Sequence, residues 1–154
     1  MRKRIISFLL AMMFSVSGII TNNFVSEAEE IAQDVELATI MTDDALIGYA
    51  QAVTRGQYLA SGHSIINDAG GGKIGWGGIT NAAVRCKVTV NAIVERKVDG
   101  SWVRVTSATT TNTNALTAVV SKTLSVASGY YYRVRCVHYA ASDGSSSYTS
   151  GLWM

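Results

Sequence analysis

The sequence predicts an all-β protein, an antiparallel β-sandwich of about seven strands. Residues 84 to 97 give the clearest sign. Val84, Cys86, Val88, Val90, Ala92 and Val94 fall on one side, and Arg85, Lys87, Thr89, Asn91, Ile93, Glu95 and Lys97 on the other. A period of two is that of a strand with one dry and one wet face. Asp99-Gly100 follows at once, a pair suited to a two-residue hairpin turn, and Trp102 to Thr106 form the return strand. Short strand-like runs separated by turn residues then recur to the end of the chain with no helical period, the pattern of a sandwich or small barrel.

The elements are justified in chain order. Arg2, Lys3 and Arg4 precede an apolar stretch from Ile5 to Ile20, and Ser26 and Ala28 supply small residues where signal peptidase reads them. Residues 1–28 are therefore expected to be a secretion signal cleaved after Ala28. The rival reading is an uncleaved anchor. The apolar run lies near the lower limit for spanning a bilayer, so no stable membrane span is expected after cleavage. Residues 29–56 form an acidic N-terminal arm or short helix: Ile31, Val35, Leu37, Ile40 and Met41 have loosely helical spacing, Ala45 to Tyr49 extend it, and Thr42-Asp43-Asp44 supply a cap. The sandwich domain occupies 57–154, long enough for one domain and too short for two.

Seven strands are placed at 57–66, 72–80, 84–98, 101–109, 115–126, 130–140 and 147–153. The separators are Asn67 to Gly71, Asp99-Gly100, Asn112-Thr113-Asn114, Ser128-Gly129 and Asp143-Gly144. In the sixth strand Tyr130, Tyr132, Val134 and Cys136 share one face, while Tyr131, Arg133, Arg135, Val137 and Tyr139 share the other. The chain has no proline, so edge protection must come from Lys, Arg and irregularity.

Trp76, the hairpin around Asp99-Gly100-Ser101-Trp102, and Ser128-Gly129-Tyr130-Tyr131-Tyr132-Arg133-Val134-Arg135 resemble matching parts of a fibronectin type III-like or immunoglobulin-like sandwich. That resemblance implies a tyrosine corner at Tyr132 and a core tryptophan at Trp76. The whole chain, with its closing Ser-Ser-Tyr-Thr-Ser-Gly-Leu-Trp, is also similar to small secreted proteins of unknown function from gut Gram-positive bacteria. This second likeness implies a location and no activity.

Cys86 and Cys136 are the only cysteines, and both fall on faces read as inward. In the sandwich topology the third and sixth strands adjoin, so a disulfide between them is expected; closing about fifty residues would stabilise by roughly 4 kcal/mol in the chain-entropy view. The alternative is two buried free thiols. His63 and His138 lack metal-ligand spacing, and no cofactor is expected. No serine sits in a nucleophile elbow, neither histidine has a marked acidic partner, and no carboxylate pair faces one cleft, so the reading is of a protein that is not an enzyme. Gly70-Gly71-Gly72-Lys73 lacks the spacing and helix of a phosphate loop.

Charge divides the chain. From Glu29 to Gly56 six acidic residues face only Arg55; from Gln57 onward nine basic residues face four acidic ones. Arg85, Lys87, Arg133 and Arg135, with Tyr131 and Tyr139 among them, form the candidate ligand-binding face. The alternative is an ordinary solvated strand face, or one covered by the acidic arm. Arginine forks suit carboxylate or phosphate, and tyrosines pack on sugars or proteins. The expected function is a secreted, non-catalytic adhesion or recognition module, held at the cell surface non-covalently if at all. Its partner would be an anionic cell-wall polymer, an acidic glycan or a protein; export makes nucleic acid unlikely. The alternative is a structural protein that self-assembles at the cell surface through strand edges or its arm.

Overall fold

The computed structural model describes residues 38–50 and 56–154. The expected signal (1–28) and half of the expected arm (29–37 and 51–55) lie outside the described residues. Seven antiparallel strands follow: β1 (Leu46–Tyr49), β2 (Leu59–Gly70), β3 (Lys73–Val98), β4 (Ser101–Ser125), β5 (Tyr131–Ala140), β6 (Asp143–Tyr148) and β7 (Leu152–Trp153). The all-β, antiparallel, roughly seven-stranded expectation holds. How the strands are divided differs.

β3 and β4 run for 26 and 25 residues, and each serves two layers. The first arm of β3 pairs with β2 on one side and with residues 117–125 of β4 on the other. Its second arm pairs with residues 101–112 of β4 and with β5. The register breaks between Asn81 and Cys86 and again before Val88, and this is the corner. One layer is thus β1, β2, β3 and β4; the other is β4, β3, β5 and β6, with β7 beside the start of β5.

This arrangement corrects two expected breaks. Residues 81–83 and Asn112 to Asn114 are not loops: both lie within continuous strands, at the corner. Asn114 adopts the left-handed conformation there, φ 56°, so its turn chemistry serves a bulge rather than a hairpin. Thr109 to Asn114, too polar for a core, stays in the strand because an edge strand needs burial on at most one side. Asp143-Gly144 is likewise not the turn. That role falls to Ala141 (φ 49°) and Ser142, and Asp143 opens β6 opposite Ala140. Its carboxylate accepts from the backbone N–H groups of Tyr58 (2.6 Å) and Leu59 (3.1 Å) at the start of β2. These bonds hold its pKa below the usual carboxylate value. Asp99 (φ 48°) and Gly100 (φ 82°) make the tight β3–β4 turn.

The reading of Ala45 to Tyr49 as helix is also corrected, since Leu46–Tyr49 is strand β1, paired with residues 63–66 of β2. The sheet therefore begins before residue 57. Just upstream, Ile40 is buried against Gly75 and Gly77, on the side of the first layer away from the sandwich interior.

The core lies between the layers and keeps the period of two. Ile66, Ile74, Trp76, Ala118 and Val120 of the first layer form a single cluster with Val88, Val90, Ala92 and Val94 of β3 and Tyr132, Val134, Cys136 and Ala140 of β5, which lie side by side in the second. His138 joins the layers. It is fully buried, with Nδ1 2.7 Å from Thr80 Oγ1 in the opposite layer and Nε2 2.8 Å from Ser147 Oγ in its own. Gly62 leaves room for the ring: a Cβ there would lie 2.5 Å from it. Burial, with a smaller contribution from His63, pushes the His138 pKa down to about 4.

The disulfide expectation is overturned. Cys86 and Cys136 are free. Cys136 stands opposite Ala92, whereas Cys86 stands at the corner opposite Ala115 of β4. Six residues of β3 separate the two positions, roughly 20 Å of strand, while a bridge needs Cα atoms within about 7 Å. Adjoining strands were the right premise, but the stagger between them was not legible. Cys136 packs as a small apolar side chain, its sulfur 3.6 Å from the Gly77 carbonyl oxygen, and burial pushes its thiol pKa up.

Candidate recognition face

The ladder between β3 and β5 decides which expected site residues meet. Tyr139 stands opposite Thr89, Arg135 opposite Ile93 and Arg133 opposite Glu95. Arg85 and Lys87 lie beyond the other end of this ladder, at the corner. There Arg85 donates to the Asn114 carbonyl (3.2 Å), and the Lys87 carbonyl accepts from Ala141 N–H. The four-cation face is therefore corrected: Arg85 and Lys87 belong to the corner, and Arg133 and Arg135 to the opposite end of β5.

A different set gathers around Arg133 and Arg135. Glu95, 7 % exposed, accepts Arg133 Nε on Oε2 at 2.7 Å and Arg135 Nε on Oε1 at 3.2 Å. Arg104 of β4 is paired with Glu95 from the other side and donates to Ser107. The Arg133 guanidinium lies 4.4 Å from the ring centre of Trp102 and 5.5 Å from that of Tyr148. Lys97 approaches the same Trp102 ring at 5.9 Å. Tyr131 meets Trp153 of β7 edge-on at 4.9 Å. Both Tyr148 and Trp153 are brought in by strand pairing, opposite Arg135 and Tyr131 respectively.

The result is an outward face on the second layer that exposes several aromatic rings. Tyr131, Tyr139, Tyr148 and Trp153 are 46, 50, 64 and 58 % exposed. Towards the corner the face turns to hydroxyl and amide groups: Thr89 meets Thr111 at 3.0 Å, and Asn91 donates to Thr109 at 2.7 Å. Of the four cations here, Arg133 and Arg135 pair with the one carboxylate, Glu95, while Arg104 stands opposite it in the ladder and Lys97 lies over Trp102. Sequence reasoning missed Trp102, Arg104, Tyr148 and Trp153 because each is on a different strand from the candidates, and register rather than alternation unites them.

Trp76 and Tyr132 lie in the core, 3 % and 1 % exposed, and the Tyr132 hydroxyl donates to the Ala127 carbonyl at 2.9 Å. His138 and Ser147 have the separation of a base and a nucleophile, but both are sealed between the layers. The second ring nitrogen meets the Thr80 hydroxyl rather than a carboxylate. Their geometry is that of a structural joint. Among the described residues no group of three or more His, Cys, Asp or Glu side chains gathers to hold a metal. No described helix is long and apolar enough to cross a membrane.

The architecture is that of an antiparallel all-β sandwich with one open, aromatic and cationic outer face. The chain belongs to the family described as Family of unknown function (DUF6147), whose model matches residues 26–151. A search of the curated proteins found no match. Among solved structures, the chain is similar to one described as "Solution Structure of R. palustris CsgH", at 13 % identity. That alignment covers 68 % of this chain and 90 % of the other, with a TM-score of 0.38. A likeness this distant carries no functional meaning.

Proposed function

We propose that this protein is an exported, non-catalytic recognition module that binds an extended polymer on the outer face of its second layer. The observation that carries this reading is the group of exposed rings at one end of β5. A contiguous apolar patch rimmed by polar groups is costly to leave in water unless something covers it. The Arg133–Glu95–Arg135 cluster pre-orders the patch, so little side-chain freedom is lost on binding. Export is supported by the basic and apolar N-terminus and by a family match that begins only at residue 26.

The test is retention of the full chain on washed bacterial envelopes across a salt series, beside a Tyr148→Ala/Trp153→Ala double variant. Both rings are mostly exposed, so the double variant should keep its fold. The reading predicts that the double variant washes off and that salt weakens the wild-type interaction. Equal retention of both proteins would reject this face.

One observation favours a second reading, self-assembly through strand edges. β4 pairs only with β3 among the described strands, leaving a long open edge whose only charges are Arg104 and Lys122. Val103 and Val105 on it are 49 and 46 % exposed. Such an edge is a template for strand addition. Association through it should rise with protein concentration and be nearly indifferent to salt.

A further inference from the structure

We infer that the polymer is built from acidic pyranose units: a sugar ring stacks on the open face of Tyr148, and its anionic substituent is taken by Arg135 and Arg133. The inference rests on the recognition reading above and names the ligand class for the same face.

The arginines provide the first argument. Each offers five N–H donors, yet Glu95 takes only the Nε of each. Among the described residues no carboxylate or carbonyl accepts from their terminal nitrogens. Two unfilled forks are thus held side by side around one shared carboxylate. One anion balances only one of these two cations, and Arg104 adds another from across the ladder. Like charges at such spacing destabilise a sheet until a counter-charge arrives. A carboxylate or sulfate that accepts a fork in bidentate fashion meets both the charge and the geometry.

The rings provide the second. Tyr148 is the direct strand partner of Arg135 and is 64 % exposed even with Arg133 beside it. An aromatic plate next to an unfilled guanidinium fork fits a ring that carries its charge on a substituent. Neutral sugars would use the plate and leave the forks empty. Nucleic acid also combines rings with anions, but its affinity comes from many phosphate contacts along a broad basic stripe. Here a carboxylate occupies the centre of the cluster.

The test is affinity electrophoresis of the full chain through gels containing polygalacturonate, dextran sulfate, neutral dextran or single-stranded DNA. Three proteins are run: wild type, Arg135→Lys and Tyr148→Ala, each with its thermal unfolding checked. Retardation by polygalacturonate, dextran sulfate or both, with none by dextran, is the expected result; which of the two acts distinguishes carboxylate from sulfate. Arg135→Lys keeps the charge and loses the fork, and should weaken retardation about tenfold; Tyr148→Ala should weaken it at least as much. Equal retardation by neutral dextran overturns the acidic-unit inference and leaves the recognition reading standing. Stronger retardation by DNA overturns it in favour of nucleic acid. Unchanged retardation of both variants overturns the inference and the choice of face together.

Discussion

At the scale of single residues, Glu95 and His138 are the two polar groups whose burial has the largest consequences. Glu95 is nearly enclosed and depends on two guanidinium partners. Arg133→Ala leaves Arg135 in place, so the expected loss is about 2 kcal/mol, less than for stripping a buried charge of every partner. Urea unfolding of the variant measures it. His138 is held neutral, with a folded-state pKa of about 4 against an ordinary 6.5. The unfolded chain therefore binds a proton that the folded chain refuses between those values. Stability should be full above pH 6.5, fall as the pH drops towards 4, and flatten below that, by on the order of 3 kcal/mol. The measurement is unfolding free energy against pH for wild type and His138→Gln. The slope between pH 6.5 and 4 should be reduced in the variant to the part that His63 contributes, since burial lowers the His63 pKa as well. Asp143 contributes in the same sense at lower pH, because hydrogen bonds from β2 amides depress its pKa.

At the scale of elements, the long shared strands determine what each layer can present. Inward residues of β3 were legible in part: the alternation read from Val84 to Val94 marks the buried side from Val88 onward, but at the corner Val84 is 49 % exposed and Cys86 only half-buried. Asp99-Gly100 marks the turn. Gly100→Val should cost about 1 kcal/mol, because φ is +82° there. The continuity of β3 and β4 was not legible. Asn112 to Asn114 carry the same residue types whether the chain reverses or only bends, and the deciding factor is pairing with a distant part of β3. β1 escaped notice because four residues are too few to establish a period, and Ala45 to Tyr49 fit a helix equally well until β2 is beside them. The strand is pinned by what precedes it. Ile40→Ala, emptying the seat against Gly75 and Gly77, should destabilise by about 2–4 kcal/mol in thermal or chemical unfolding. Lys at both Val103 and Val105 should leave stability nearly unchanged, since both are exposed. In sedimentation, the same double variant should abolish any concentration-dependent association that uses the β4 edge.

At the scale of the whole molecule, the two layers differ in what their outer faces hold. The first layer's outer side carries Ile40 and the edge-on pair of Tyr49 and His63, 4.9 Å apart. The second layer's outer side carries the exposed rings and the arginine–glutamate cluster. Individual ingredients of that face, Arg133, Arg135, Tyr131 and Tyr139, could be read from one strand's alternation. Its composition could not, because Glu95, Trp102, Tyr148 and Trp153 arrive from four other strands, and the stagger that unites them also carried Arg85, Lys87 and the expected disulfide elsewhere. Two of the three tryptophans, Trp102 and Trp153, lie on this face, whereas Trp76 is in the core. The most direct test of the central claim is therefore tryptophan fluorescence quenched by acrylamide, with and without saturating polygalacturonate. A bound polymer covering the face should shield the accessible tryptophan emission, and Trp153→Phe should remove part of the effect. Binding confirmed by another method, with quenching unchanged, would place the contact elsewhere and contradict the account.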